Sequence, residues 1–292
     1  MVGNKCVAGV DGCRRGWLAV VLATDHRAAD VRFVKSAREM LDARDAPDVV
    51  AIDIPIGLPD RSGSGGRSPE RLVRPLLGVR QSSVFSIPSR AAVYASRDES
   101  IPEPDRFRHA CAVARETSAD GKAVAKQAFQ IFGKIIEIDS LFRGRTELAG
   151  RVFECHPELS FWAMNGNAPI AEPKKVKGTP YGPGLELRRR LLLAHGFEGD
   201  VLEASVARDC MAGLDDLIDA CAATWTAARD GIEKTLDCRA PSNGRTSRSG
   251  LRPPEPERSG SPIGMSIATT SGASRASSIS QALFTNLTCA AR

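Results

Sequence analysis

Two short apolar runs each end in a single carboxylate, and this pairing constrains the chain more than any other feature. The first is Val7-Ala8-Gly9-Val10-Asp11, followed by Gly12-Cys13-Arg14-Arg15-Gly16-Trp17 and a second apolar run over residues 18–23. An apolar run, a Gly-containing turn and another apolar run read as a β-hairpin with Asp11 at the mouth of its first strand. The second is Val49-Val50-Ala51-Ile52-Asp53. Its β-branched, almost wholly apolar make-up is that of a central strand covered on both faces, with Asp53 near its C-terminal end. A carboxylate in such a place costs little in folding only when a metal ion, a magnesium-bound phosphate or backbone N–H groups satisfy its charge.

A late segment adds more acids. Leu214, Leu217, Ile218, Cys221 and Trp225 recur at helical spacing. Asp216 and Asp219, three apart on that helix, are neighbours on its flank. Two strand-end acids and the helix acids form a candidate metal-binding constellation: Asp11, Asp53, Asp216 and Asp219 as metal ligands and catalytic residues, with Glu154 as a further catalytic candidate. Glu158 and, for proton transfer, His156 are weaker candidates. Each has a bland alternative. Asp11 can cap its own turn, Asp53 can accept from loop amides, and Asp215 or Asp216 can cap the helix and meet its dipole. His156 can be structural, and Trp17 and Trp162 read as core residues.

Along the chain, residues 5–55 read as strand, strand, strand (31–34), short helix (37–43), strand. A Gly/Ser-rich loop at 61–68 opens a different pattern, with helices near 70–77, 104–117 and 121–138 and an extended piece at 81–85. A strand at 151–155 ends at His156-Pro157, where proline disfavours helix before itself and suits the first turn after it, so a helix is expected over 158–162. Helices over 184–194 and 214–229 follow. From residue 238 Ser, Gly, Pro, Arg and Thr dominate and periodicity disappears, so 238–292 reads as a low-complexity, largely disordered tail. Residues 1–237 then form one domain, with a helical insertion over about 60–150.

The 292 residues suffice for a sizeable core. No apolar run is long enough to span a bilayer and no signal-peptide core is visible, so the chain is expected to be cytoplasmic, without membrane attachment. The eight cysteines include no C-x-x-C pair, which argues against a zinc site or disulfide framework, and Cys6, Cys155 and Cys221 sit in apolar elements as reduced thiols do. The net charge of +5 is misleading: from Cys238 onward the chain has seven Arg against two Glu, so the body before it is neutral. Overall basicity is therefore no argument for nucleic-acid binding. Local clusters such as Lys174, Lys175 and Lys177 read first as solvated loops and helix faces.

Several words in this order resemble one family. They are Gly9-Val10-Asp11-Gly12-Cys13-Arg14 with Gly16-Trp17, Asp53-Ile54-Pro55-Ile56-Gly57-Leu58-Pro59, Ser82-Ser83-Val84-Phe85, Lys134-Ile135 with Glu137 and Asp139, Glu154-Cys155-His156-Pro157-Glu158 with Phe161-Trp162, and Asp215-Asp216 with Asp219-Ala220. Together they resemble the DUF429 family, described as ribonuclease H-like nucleases, over roughly residues 5–230. The resemblance implies an α/β fold, a ribonuclease H-like mixed sheet flanked by helices with a helical insertion after the fourth strand. Such a sheet sets its first and fourth strands side by side, so Asp11 and Asp53 would be adjacent. Pro254-Glu255-Pro256-Glu257-Arg258 and Met265-Ser266-Ile267 are similar to the family's closing segment, with Ser259 and Pro262 where Asp and Gly are expected.

The chemistry suits the residues. Phosphodiester hydrolysis builds negative charge on the attacking, leaving and non-bridging oxygens, and two magnesium ions about 4 Å apart can clamp them. Magnesium or manganese takes hard oxygen ligands, so converging Asp and Glu side chains suffice. The expected function is a divalent-metal-dependent nuclease, a phosphodiester hydrolase with nucleic acid as its partner. A catalytically silent nucleic-acid-binding or regulatory protein on the same fold is one alternative. An actin-like phosphotransferase or ATPase, gripping phosphates with Asp11-Gly12-Cys13, is another, although no second Asp-x-Gly phosphate loop accompanies it.

Overall fold

The first two apolar runs fold back on each other. In the computed structural model, which describes residues 6–23 and 29–237, β1 (Cys6–Cys13) pairs antiparallel with β2 (Gly16–Ala23) around a two-residue turn at Arg14-Arg15. Strand β3 (Ala29–Val34) continues the meander on the far side of β2. Helix α1 (Ala37–Leu41), capped by the Ser36 side chain on the Glu39 N–H, leads to β4 (Val49–Ile52). Every residue of β4 is buried, as its composition requires. It lies parallel to β1, and β5 (Val152–Glu154) lies parallel to β4. The sheet order is β3-β2-β1-β4-β5. This is the expected α/β, ribonuclease H-like mixed sheet.

Between β4 and β5 runs the helical insertion: α2 (Ser68–Leu77), α3 (Arg90–Tyr94), α4 (Arg106–Glu116), α5 (Lys126–Gln130) and α6 (Phe132–Gly144). Two local expectations fail here. Residues 78–83 form a 3-10 helix rather than leading an extended segment. The Ser83 hydroxyl donates to the Arg80 carbonyl and the Arg74 guanidinium to the Val84 carbonyl, and such side-chain bonds to backbone replace a strand ladder. The single helix expected over 121–138 is two, because Ile131 leaves helical geometry between α5 and α6.

After β5 come α7 (Pro157–Met164), a small hairpin of β6 (Lys175–Val176) and β7 (Thr179–Pro180), α8 (Gly182–Ala194), α9 (Ala204–Asp209) and α10 (Leu214–Asp237). Among the described residues no helix is long and apolar enough to cross a membrane. The low-complexity segment from 238 and its closing motif lie outside the described residues.

The strands' period of two divides the core. Ala8, Val10, Trp17, Ala19, Val50 and Ile52 pack with α1 and α6 on one face. Leu18 and Val20 pack with α10 on the other, as do Val7, Val49 and Ala51. The α10 backbone comes so close to β1 that a Cβ on Gly9 would lie 2.2 Å from the Ala220 carbonyl oxygen. Only glycine allows that approach. The Thr224 hydroxyl fastens it, accepting from the Gly9 N–H at 3.0 Å and lying within hydrogen-bonding distance of the Val20 carbonyl.

Candidate metal centre

Strand parity places the two lone acids. Asp11 lies two residues beyond Gly9 and Asp53 two beyond Ala51, so both belong to the face that α10 covers. Register brings them level: Val10 pairs with Ile52, and the Asp53 N–H donates to the Val10 carbonyl at 2.8 Å. Across from them, Asp219 precedes Ala220, the residue whose carbonyl meets Gly9. Carboxylate oxygens of Asp11, Asp53 and Asp219 consequently lie within 4.8 Å of one another.

Asp219 is 1% exposed, and its Oδ1 is a buried oxygen with no hydrogen-bond partner. Its Oδ2 is ion-paired with the Lys174 ammonium. Asp11 is buried as well and takes only the N–H of its own neighbour Gly12, at 2.7 Å, on Oδ1. The turn-capping alternative for Asp11 is thus real, but it occupies one oxygen of two.

The electrostatics agree with a site built for positive charge. Burial pushes the Asp11 carboxyl well above the ordinary carboxylate value, the Asp53 and Asp216 charges push it further, and Lys174 and the Gly12 N–H oppose them. Asp53 is also raised, first by burial, with His156 and Lys174 opposing and Glu154 and Glu158 adding to the rise. Burial likewise raises Asp216. A cation among these groups favours their ionised forms.

The remaining sequence candidates stand near the three without joining them. Asp216 lines the same cleft, and its Oδ2 accepts from the Gly213 N–H at the start of α10, at 3.0 Å. Asp215 pairs with the Lys175 ammonium at 2.5 Å. Glu154 is held by both Arg67 terminal nitrogens, at 2.6 and 3.0 Å, and accepts from the Ile56 N–H at 2.9 Å. It anchors the loop that follows Asp53. Glu158 is held by both its oxygens on Arg188. His156 faces the cleft, and its Nδ1 is buried without a partner.

Four residues have roles here that the sequence reading did not give them. Arg67 is almost fully buried and joins Glu154, Glu70 and the Ile56 carbonyl. Lys134 donates to the Gly16 carbonyl and lies over the Trp17 ring at 4.3 Å. Trp17 in turn donates to Glu137, so these family words meet in one contact. Lys174 and Lys175, read as solvated, are partly exposed but paired to the α10 acids Asp219 and Asp215. The acids and these lysines line one cleft of about 900 Å³, with Arg14 also on it and Val84, Phe85 and Ile131 forming an apolar flank.

A family model described as a protein of unknown function, DUF429, matches residues 9–242. Searches of curated proteins and of solved structures found no match.

Proposed function

The chain belongs to the DUF429 family, and from that premise we propose that it is a divalent-metal-dependent phosphodiester hydrolase acting on nucleic acid. One observation carries the reading. Three carboxylates from β1, the end of β4 and α10 converge within 4.8 Å, and one of their buried oxygens has no partner. An orphaned buried oxygen costs on the order of 1–3 kcal/mol, more for a charged group, and an ion would relieve that cost. The all-oxygen donor set fits magnesium or manganese and not a soft metal.

Asp11, Asp53 and Asp219 would hold the ion, which when bound would polarise a phosphate oxygen and acidify a coordinated water. The protein's own residues do the rest. The β1–β4 register and the Gly9–α10 contact fix the three carboxylates before anything binds. Arg67 and Glu154 hold the loop after Asp53. Arg14, Lys134, Lys174 and Lys175 line the cleft with positive charge suited to phosphodiester oxygens. Val84, Phe85 and Ile131 provide an apolar surface on which a base can rest.

The test is hydrolysis of single- and double-stranded DNA and RNA by the full chain with magnesium or manganese, with ATP as a control substrate. Cleavage of nucleic acid that is lost in EDTA and in Asp53→Asn is expected. Asp53→Asn keeps size and hydrogen-bonding capacity and removes the charge. Cleavage that persists in the variant refutes the site. Binding without cleavage favours the silent nucleic-acid-binding protein, and ATP turnover alone favours the phosphotransferase.

A further inference from the structure

We propose that Lys174 is the second cation of this centre: one divalent ion on Asp11, Asp53 and Asp219, with the lysine ammonium beside it contacting the scissile phosphate in place of a second ion. The inference rests on the phosphodiester-hydrolase reading and deepens it.

The two oxygens of Asp219 are divided. Oδ2 pairs with Lys174, while Oδ1 is buried and unpartnered. Lysine and ion can therefore share this carboxylate, and the ammonium need not leave when the ion arrives. The charge count agrees. Three ionised carboxylates and one ammonium leave two negative charges, which one divalent ion neutralises. A second ion would need further free carboxylates, and most of the nearby ones are engaged in ion pairs: Asp215 with Lys175, Glu154 with Arg67, Glu158 with Arg188, while Asp216 gives one oxygen to the Gly213 N–H, as Asp11 does to the Gly12 N–H.

The lysine is also held in place. Its carbonyl accepts from the Tyr181 N–H at 2.8 Å. The start of α8 packs on the preceding residue so tightly that a Cβ on Gly184 would lie 1.8 Å from the Pro173 carbonyl oxygen. Beyond it, Lys177 and Gly178 both take positive φ, at 50° and 81°. That backbone makes a tight two-residue hairpin turn, and β6 places Lys175 on Asp215 one residue after Lys174. The Lys174 side chain lines the cleft and is partly exposed, where a phosphate can reach it.

The experiment is a calorimetric Mn²⁺ titration of the full chain, wild type, Lys174→Met and Lys174→Arg, with hydrolysis rates at saturating Mn²⁺. One ion per chain is expected in the wild type. Lys174→Met should bind Mn²⁺ at least about tenfold more tightly, because an adjacent positive charge is gone. It should also hydrolyse at least about a hundredfold more slowly, since an electrostatic contact to the transition state is lost. Lys174→Arg should keep wild-type Mn²⁺ affinity. Two ions in the wild type, or unchanged affinity in Lys174→Met, overturns the proposal. Wild-type hydrolysis rates in Lys174→Met overturn its catalytic half. If the wild type cleaves nothing, the hydrolase reading fails and with it any contact with a scissile phosphate, while the titration still decides whether Lys174 is the ion's neighbour.

Discussion

The Gly9 N–H donates to the Thr224 hydroxyl at 3.0 Å, and a Cβ on Gly9 would lie 2.0 Å from the Thr224 nitrogen. This contact between β1 and α10 sets the distance from Asp11 to Asp219. It makes an inconspicuous glycine in the middle of a strand a determinant of the site.

Gly9→Ala should therefore act on stability and on the site together. The added methyl meets the α10 backbone at Ala220, Ala223 and Thr224, so α10 must move. A loss of at least about 2 kcal/mol is expected from such overpacking, with Mn²⁺ affinity falling at least tenfold. Urea denaturation and calorimetry check the two effects. A variant as stable as wild type with intact Mn²⁺ binding would show that the helix does not need this approach.

The raised Asp11 carboxyl implies a pH dependence with a definite sign. Above its ordinary value of 3.8, the unfolded chain has lost a proton that the folded chain retains. The native state thus binds more protons, and stability falls as pH rises toward the folded value. Without metal, the melting temperature of the wild type should drop more between pH 4 and pH 8 than that of Asp11→Asn. Saturating Mg²⁺ should cancel the difference in slope by favouring the ionised form. Parallel melting curves in EDTA would contradict the burial argument.

Arg67 offers a test that does not touch the ion. Its guanidinium serves both Glu70 and Glu154 in a nearly dry setting. Arg67→Met leaves those carboxylates without their counter-charge, which should cost about 3–5 kcal/mol. Because Glu154 also holds the Ile56 N–H, Asp53 should lose its fixed position and Mn²⁺ affinity should fall too. Guanidinium denaturation and metal titration read these outcomes, and an unaltered midpoint would show the network to be dispensable.

The thiols behave as core groups. Burial pushes Cys155 up to about 12 and raises Cys221 as well, and among the described residues no cysteine is in a disulfide. Since the thiolate is the reactive form, iodoacetamide at pH 8 should leave both unmodified in the folded protein and label both in denaturant. Mass spectrometry separates the two cases, and rapid native labelling of either would refute its burial.

The parts of the fold that were legible are those written in local periodicity. The β1–β2 hairpin, the buried β4 and helix α10 follow from apolar patterning. A lone acid at each strand end was enough to nominate Asp11 and Asp53. The positions of Asp216 and Asp219 on α10 were visible, with Asp219 preferred as the deeper of the two, but the contact that gives Asp219 its advantage was not. That advantage comes from the close seat of Ala220 on Gly9, a contact across 211 residues of chain. Glu154 read as a further catalytic candidate, and the partner that engages it, Arg67, lies 87 residues away. Lys174 looked solvated for the same reason: its hairpin has no apolar signature, and its ion pair is tertiary. The 3-10 turn at 78–83 likewise depends on Arg74 reaching Val84, which no strand or helix period announces.

The central claim is that Asp11, Asp53 and Asp219 hold one divalent ion, and the most direct measurement is an anomalous-difference map from a crystal soaked in Mn²⁺. The account expects one strong peak about 2.0–2.2 Å from an oxygen of each of the three residues, with the Lys174 ammonium still on Asp219. A map with no peak there, or with the ion held by other residues, would contradict it.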